Sequence, residues 1–172
     1  MIRVVETRLT EIEVDAIVRP VRSDLGPVSS AGRHLGVVAG EEVEARLAQT
    51  GALPVGGAVM TPAGTLPCAF LIHAVVMSDE EPQTTATMKR ALTNALGRAV
   101  DWGLESLALP PIGIGVGMTE PEVHAQALVD ILQAHVAAGE PPLDITIAVA
   151  SAYEADLFRR LIQEGQGTET AT

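Results

Sequence analysis

Aromatic residues are nearly missing from this chain of 172 residues: two Phe, one Trp and one Tyr make up 2% of it. Its core must therefore be built from Ala, Val, Leu and Ile. There is one cysteine, Cys68, which excludes an internal disulfide and fits a reducing compartment. It lies in an apolar run, which favours a buried structural thiol over a nucleophile. Runs of Lys and Arg are missing as well. With 11 Lys and Arg against 22 Asp and Glu, the formal net charge is −11, so the molecule as a whole repels polyanions. No nucleic-acid partner is expected. No apolar run is long enough to span a bilayer, and the opening "MIRVVETRL" lacks the apolar stretch of a signal peptide. A cytoplasmic protein without a membrane partner is expected.

What the chain does have is 47% hydrophobic and 19% charged residues, the balance of a globular protein. Its length suits one domain, expected over residues 1–165, with a flexible tail at 166–172. "IRVVE" and "VDAIV" are β-branched runs that predict strands, and a Gly-, Pro- and Ser-rich loop is expected from residue 19 to about 40. "GEEVEARLAQTG" reads as a short helix ended by Gly51, with early glutamates that suit the helix dipole. "GGAVMTPAG" and "CAFLIHAVVM" predict two more strands. Met88, Ala91, Leu92, Ala95, Leu96, Ala99 and Val100 recur at helical spacing and predict an amphipathic helix laid on a sheet. "SLALPPI" is then a strand. A helix to about residue 138 follows, with Thr119 and Glu122 as its capping box and Val123, Leu128, Ile131, Leu132 and Val136 buried. "DITIAVAS" predicts a last strand, and "AYEADLFRRLIQEG" a last helix burying Tyr153, Leu157, Phe158, Leu161 and Ile162. This alternation predicts an α/β protein with a parallel or mixed sheet covered on both faces.

Two stretches carry candidate chemistry. The first is "GIGVG", with Gly113, Gly115 and Gly117 between a strand and the next helix. Ligands of open α/β sheets sit beyond the carboxyl ends of strands, and glycines let backbone N–H groups approach an anion. No Gly-Lys-Ser/Thr follows, so it is not a Walker A loop, and the third glycine is misplaced for a dinucleotide fingerprint. A phosphate cradle and a plain bend both fit this spacing. The second stretch is "RPVRSDLGPVSSAGRH", where Arg19, Arg22 and Arg33 face one acid, Asp24, and make a local positive island after another strand. The two loops would form opposite walls of an anion site. The alternative pairs these arginines with Glu41, Glu42 or Glu44.

The order of "VDAIV", "LPVGGAVMTPAGTLPCAFLIHAVV", "ALTNALGRAVDWGLESLALPPIGIGVG" and "YEADLFRRLI" resembles the macrodomain family, whose members bind ADP-ribose and related ligands. The resemblance covers almost the whole chain and implies a three-layer α/β/α fold with a mixed central sheet. It also exposes departures. The family's Asn-Ala-Ala-Asn run corresponds to Arg19, Pro20, Val21 and Arg22, so Arg22 replaces the Asn that serves catalysis in hydrolytic members. The diphosphate-wrapping glycines correspond to "GPVSS", residues 26–30. An Asp that reads the adenine amino group aligns with Arg8. Ser-Thr-Gly and its β-branched neighbour become Gly113, Ile114, Gly115 and Val116, and only this loop keeps its glycine. Aromatic positions of the adenine and distal ribose pockets correspond to Gly117 and Thr119. Arg22 cannot donate and accept at once as an amide does, but it can face a phosphate or fill the cleft.

The resemblance implies a module binding ADP-ribose or a related phosphorylated anion with altered specificity. Gly113, Ile114, Gly115, Val116 and Gly117 would supply backbone donors, and Arg22 a countercharge. No metal, cofactor or catalytic residue is implied. An alternative is a hydrolase of ADP-ribosyl esters or ADP-ribose phosphate, against which the lost Asn argues. Another is a degenerate scaffold whose cleft is filled by Arg22, Val28 and Met118 and which self-associates as a homo-oligomer. His73, in mid-strand, reads as a core histidine. His124 and His135 would lie about 16 Å apart along one helix, too far to share a metal. His34 stands near the arginines with no acid or nucleophile beside it, and Asp15 resembles a structural position of the family.

Overall fold

The computed structural model describes residues 1–114 and 120–169. Its centre is a six-stranded sheet in the order β1-β6-β5-β2-β4-β3. The strands are β1 (Ile2–Glu6), β2 (Val14–Arg22), β3 (Ala58–Pro62), β4 (Cys68–Met77), β5 (Ser106–Leu109) and β6 (Asp144–Val149). Every pairing is parallel except that of β3 with β4, so the sheet is mixed only at one edge. The helices among the described residues are α1 (Ser30–Ala39), α2 (Glu41–Thr50), α3 (Thr85–Asp101), α4 (Pro121–Ala137) and α5 (Ala152–Glu169).

Side-chain alternation along the strands divides the core in two. Ala16, Val18, Ile72, Ala74, Val76, Leu107 and Leu109 face α3, α4 and α5, where Met88, Leu92, Leu128 and Phe158 close the layer. Ile17, Val21, Leu71, Val75 and Ala108 face the opposite way, under Leu35 and Ala39 of α1 and Val43 and Leu47 of α2. Strands buried on both faces read as near-continuous apolar runs, as "VDAIV" and "LIHAVV" do. This is the expected three-layer α/β/α arrangement with a mixed sheet.

The sheet is also tied by side chains. Asp15, at the start of β2, accepts at Oδ2 from the N–H groups of Glu105 (2.8 Å) and Ser106 (3.0 Å), and its own N–H donates to Ser106 Oγ (2.9 Å). These bonds fix the ladder between two parallel strands that pair directly only at Ala16 and Ile17. No helix of the described residues is long and apolar enough to cross a membrane.

Several local expectations are corrected. Residues 19–40 are not one loop: β2 continues through Arg22 and α1 begins at Ser30. Ser29 caps α1 by accepting from the Gly32 N–H at 3.1 Å, and Leu35 and Ala39 form its buried stripe. Helix α4 has Glu120 at its N-cap with no side-chain cap bond and Pro121 in its first turn, a position where a missing N–H costs nothing. The expected cap Thr119 lies outside the described residues. Val123 is exposed because the buried stripe of α4 runs through His124, Ala125, Leu128, Val129 and Leu132. Tyr153 is exposed in the first turn of α5, before the buried stripe starts at Ala155. Helix α5 continues past residue 165 to Glu169.

Candidate functional site

Strands β2 and β5 are parallel neighbours at the middle of the sheet, so the segments after them leave from the same edge. After β2 the chain folds into a tight return. Arg22 N–H donates to Gly26 O (2.9 Å), Leu25 N–H to Arg22 O (2.8 Å), and Gly26 N–H to Asp24 Oδ1 (2.8 Å). Leu25 takes a left-handed conformation, φ 69°, unusual for a branched side chain, and it is held there by burial in the α1–α2 layer. The return delivers the chain to Ser29 and the N-terminus of α1, where free helix N–H groups and the dipole favour an anion.

After β5, Pro110 and Pro111 lead into a turn closed by Ile114 N–H donating to Pro111 O at 3.3 Å. Gly113 sits in this turn at φ 84°. A Cβ there would come within 2.7 Å of His124 Cδ2, so both conformation and space demand glycine. His124 reaches back from the first turn of α4: its Nδ1 is 3.0 Å from Glu120 O, and since a carbonyl only accepts, Nδ1 carries the proton. The ring thus contacts Gly113 at one end of the glycine stretch and Glu120 at the other. Gly115, Val116 and Gly117 lie outside the described residues. The Ile114 amide is committed to its turn.

The three arginines of the island border one cavity but take different partners. Arg19 points into the α1–α2 layer and is 2% exposed. Its Nε donates to Gly32 O at 3.0 Å, and its Nη1 lies 3.6 Å from Glu44 Oε1, the glutamate pairing that was the alternative reading. Arg22 turns toward the end of β4, donating to the Asp79 carboxylate, with Nη1 3.9 Å from Met77 Sδ. Arg33 is exposed on α1. The strand's alternation turns Arg19 and Arg22 apart: Arg19 shares its face with Ile17 and Val21, and a shift in the β2–β4 register between Val21 and Arg22 re-aims the last residue. Val28, expected as a cleft filler, is partly buried against the α3–α5 core, and Met118 lies outside the described residues.

Asp79 is the site residue that sequence reading missed. It lies 57 residues from Arg22, with no local pattern to connect them. Ser29 was missed too, although a serine just before a 3.6-residue apolar period is a helix-start signal. The core reading of His73 holds. It is fully buried, its Nε2 lies 2.9 Å from Thr61 Oγ1, and burial with the nearby Arg19 charge pushes its pKa down to about 3. Cys68 is half-buried, and desolvation raises its thiol to about 11, which makes a thiolate nucleophile unavailable at neutral pH. No cluster of three or more potential metal ligands occurs among the described residues.

This topology, with its candidate anion site at the shared edge of β2 and β5, defines a three-layer α/β/α module. The Macro domain family model matches residues 31–128, and the chain belongs to the macrodomain family. An uncharacterized protein of Aquifex aeolicus is 35% identical over 133 residues, covering 75% of this chain and 79% of that one. Among solved structures, the Oceanobacillus iheyensis macrodomain with ADP superposes with a TM-score of 0.86 at 17% identity, covering 96% of this chain and 91% of its own. The Trypanosoma brucei macrodomain in complex with ADP-ribose gives 0.84 at 16% identity, covering 94% and 68%. Those structural likenesses establish the shared fold.

Proposed function

We propose that this macrodomain binds ADP-ribose or a related phosphorylated anion at the sheet edge where β2 and β5 end, with a specificity altered from that of its relatives. The observation that supports it best is the adjacency of two backbone features: the capped N-terminus of α1 and the Gly113 turn follow neighbouring parallel strands. The helix N-terminus offers an anion N–H groups rather than charged side chains, which suits a protein of net charge −11. Solved relatives of the same fold hold ADP and ADP-ribose.

In this reading Gly113, Gly115, Val116 and Gly117 shape and supply the phosphate cradle, and Ile114 closes the turn that presents it. Arg22 adds a countercharge weakened by Asp79. The altered specificity follows from Arg22 standing where the family's amide would contact the distal ribose. Hydrolysis is not part of the proposal, because an arginine paired with a carboxylate does not replace an amide that orients a nucleophile.

Calorimetry on the full chain with ADP-ribose, ADP and inorganic phosphate tests the proposal. The expected result is heat with ADP-ribose that Gly115→Glu removes while the circular dichroism spectrum is unchanged, since the variant puts a negative charge into a shielded cradle. The absence of heat with all three at millimolar concentration overturns it, as does a Gly115→Glu variant that binds like the parent. Release of free ADP-ribose from an ADP-ribosylated protein at the rate of an active hydrolytic macrodomain would replace binding with catalysis as the function.

A further inference from the structure

Arg19 has a chemical position that the fold alone does not explain. Its guanidinium is buried on the α1–α2 face of the sheet, and α1 offers it one acceptor, Gly32 O, for Nε. Buried Nη1 has no hydrogen-bond partner. The Glu44 carboxylate stops 3.6 Å away, close enough for an ion pair but too long for a hydrogen bond. Next to it on β4, His73 stays neutral and supplies no countercharge. Burial lowers the Arg19 pKa, yet an arginine keeps its proton, so a cation is left under-paired inside the protein.

Space has been left for that cation and for something beside it. A Cβ on Gly36 of α1 would come within 2.6 Å of Arg19 Nη2 and 3.0 Å of Glu44 Oε1. Arg19 and Glu44 also line a cavity of about 760 Å³, which Arg33, Gly36 and Glu41 border on the α1–α2 side and Arg22 and Asp24 on the side of the return after β2. That volume exceeds a bare ion and falls within the range of small-molecule pockets. The Gly113 turn does not line it but Arg22 does, so the cavity adjoins the site proposed above on the side away from its glycine turn.

We propose that this cavity is a second binding site, for a small molecule with a phosphate or carboxylate head, in which the head displaces Glu44 and accepts from Arg19 Nη1. Glu44 is the built-in competitor. It sits on α2 with a half-exposed side chain, so it swings into solvent at little cost when an external anion takes its place. Arg33, exposed on α1 at the same cavity, adds a second positive charge to hold the incoming head. A charge-assisted hydrogen bond to a desolvated guanidinium is among the stronger contacts a small anion can make.

The test is calorimetry of the full chain with inorganic phosphate and, separately, acetate, on the parent and on Glu44→Gln and Arg33→Ala, each variant first shown by circular dichroism and urea unfolding to be folded. Glu44→Gln removes the competing charge and is expected to tighten binding of one of the two ions about tenfold, with Arg33→Ala weakening it. Phosphate or acetate as the responsive ion decides the chemistry of the head. The proposal is overturned if Glu44→Gln binds both ions as the parent does, or if Arg33→Ala leaves the tightened affinity unchanged in the double variant. Gly115→Glu keeps this arm separate from the ADP-ribose reading. The Glu44→Gln effect is expected to survive it, and loss of that effect would assign the ion to the glycine cradle and overturn the second site.

Discussion

Arg19 and His73 stand side by side across the parallel β2–β4 ladder, both fully inside the α1–α2 layer. Burial first, and the neighbouring permanent cation second, keep the imidazole uncharged. His73 therefore has a folded pKa near 3, far below its ordinary value of 6.5.

The sign of the linkage follows. Between pH 6.5 and about 3 the unfolded chain protonates His73 and the folded protein does not, so stability is lost as pH falls through that window. This one group contributes a slope of at most about 1.4 kcal/mol per pH unit. Replacing it with Gln, which keeps a polar partner for Thr61, is expected to flatten the slope between pH 6.5 and 4 while lowering stability at pH 7. Urea unfolding across that range reads it, and identical slopes in parent and variant would refute it.

Gly36→Ala tests the room made for Arg19. The added methyl would meet Arg19 Nη2 at 2.6 Å and Glu44 Oε1 at 3.0 Å, and a helical glycine otherwise gains from alanine. In an open site the substitution would stabilise by up to about 1 kcal/mol. Here a loss of about 1–3 kcal/mol is expected, the usual cost of overpacking. Thermal and urea denaturation decide the sign.

The fold was largely legible in the sequence because most elements obey one dominant period. β4 is a near-continuous apolar run and α3 is apolar at a spacing of 3.6, and both lie within a residue or two of the expected stretches. Residues 19–40 were not legible because the cues of a loop there serve other ends. Arg19 looks like surface, but its charge goes beneath two helix glycines. Pro20 looks like a strand breaker, yet β5 pairs with β2 only at Ala16 and Ile17, which leaves room in the ladder for a residue without an N–H. Of the site, the Gly113 turn could be read from glycine spacing. The pairing of Arg22 with Asp79 could not, because only the fold brings them together.

Asp15 shows how a single carboxylate aligns the middle of the sheet. Asp15→Ala leaves the Glu105 and Ser106 N–H groups without their acceptor at 2.8 and 3.0 Å. A loss of about 1–3 kcal/mol is expected, since an unpaired donor costs more than a hydrogen bond contributes. Asp15→Asn, which keeps one acceptor oxygen, should recover part of it. Equal stability of parent and Asp15→Ala in urea would refute the argument.

Gly113 allows the conformational and steric demands of the site to be separated. Alanine at φ 84° is strained wherever it occurs, by about 1–2 kcal/mol. Its Cβ would also press on His124 Cδ2 at 2.7 Å, which adds a second cost. Gly113→Ala is therefore expected to destabilise the protein and, by moving the turn, to weaken ADP-ribose binding. Truncating the ring in Gly113→Ala/His124→Ala removes the contact but leaves the backbone strain. The double variant should thus lose less than the sum of the two single losses, with a coupling of about 0.5–3 kcal/mol. Strict additivity in a double-mutant cycle would show that His124 does not press on the turn. If Gly113→Ala lowers stability yet binds ADP-ribose as the parent does, the turn after β5 supports the fold and takes no part in holding the phosphate.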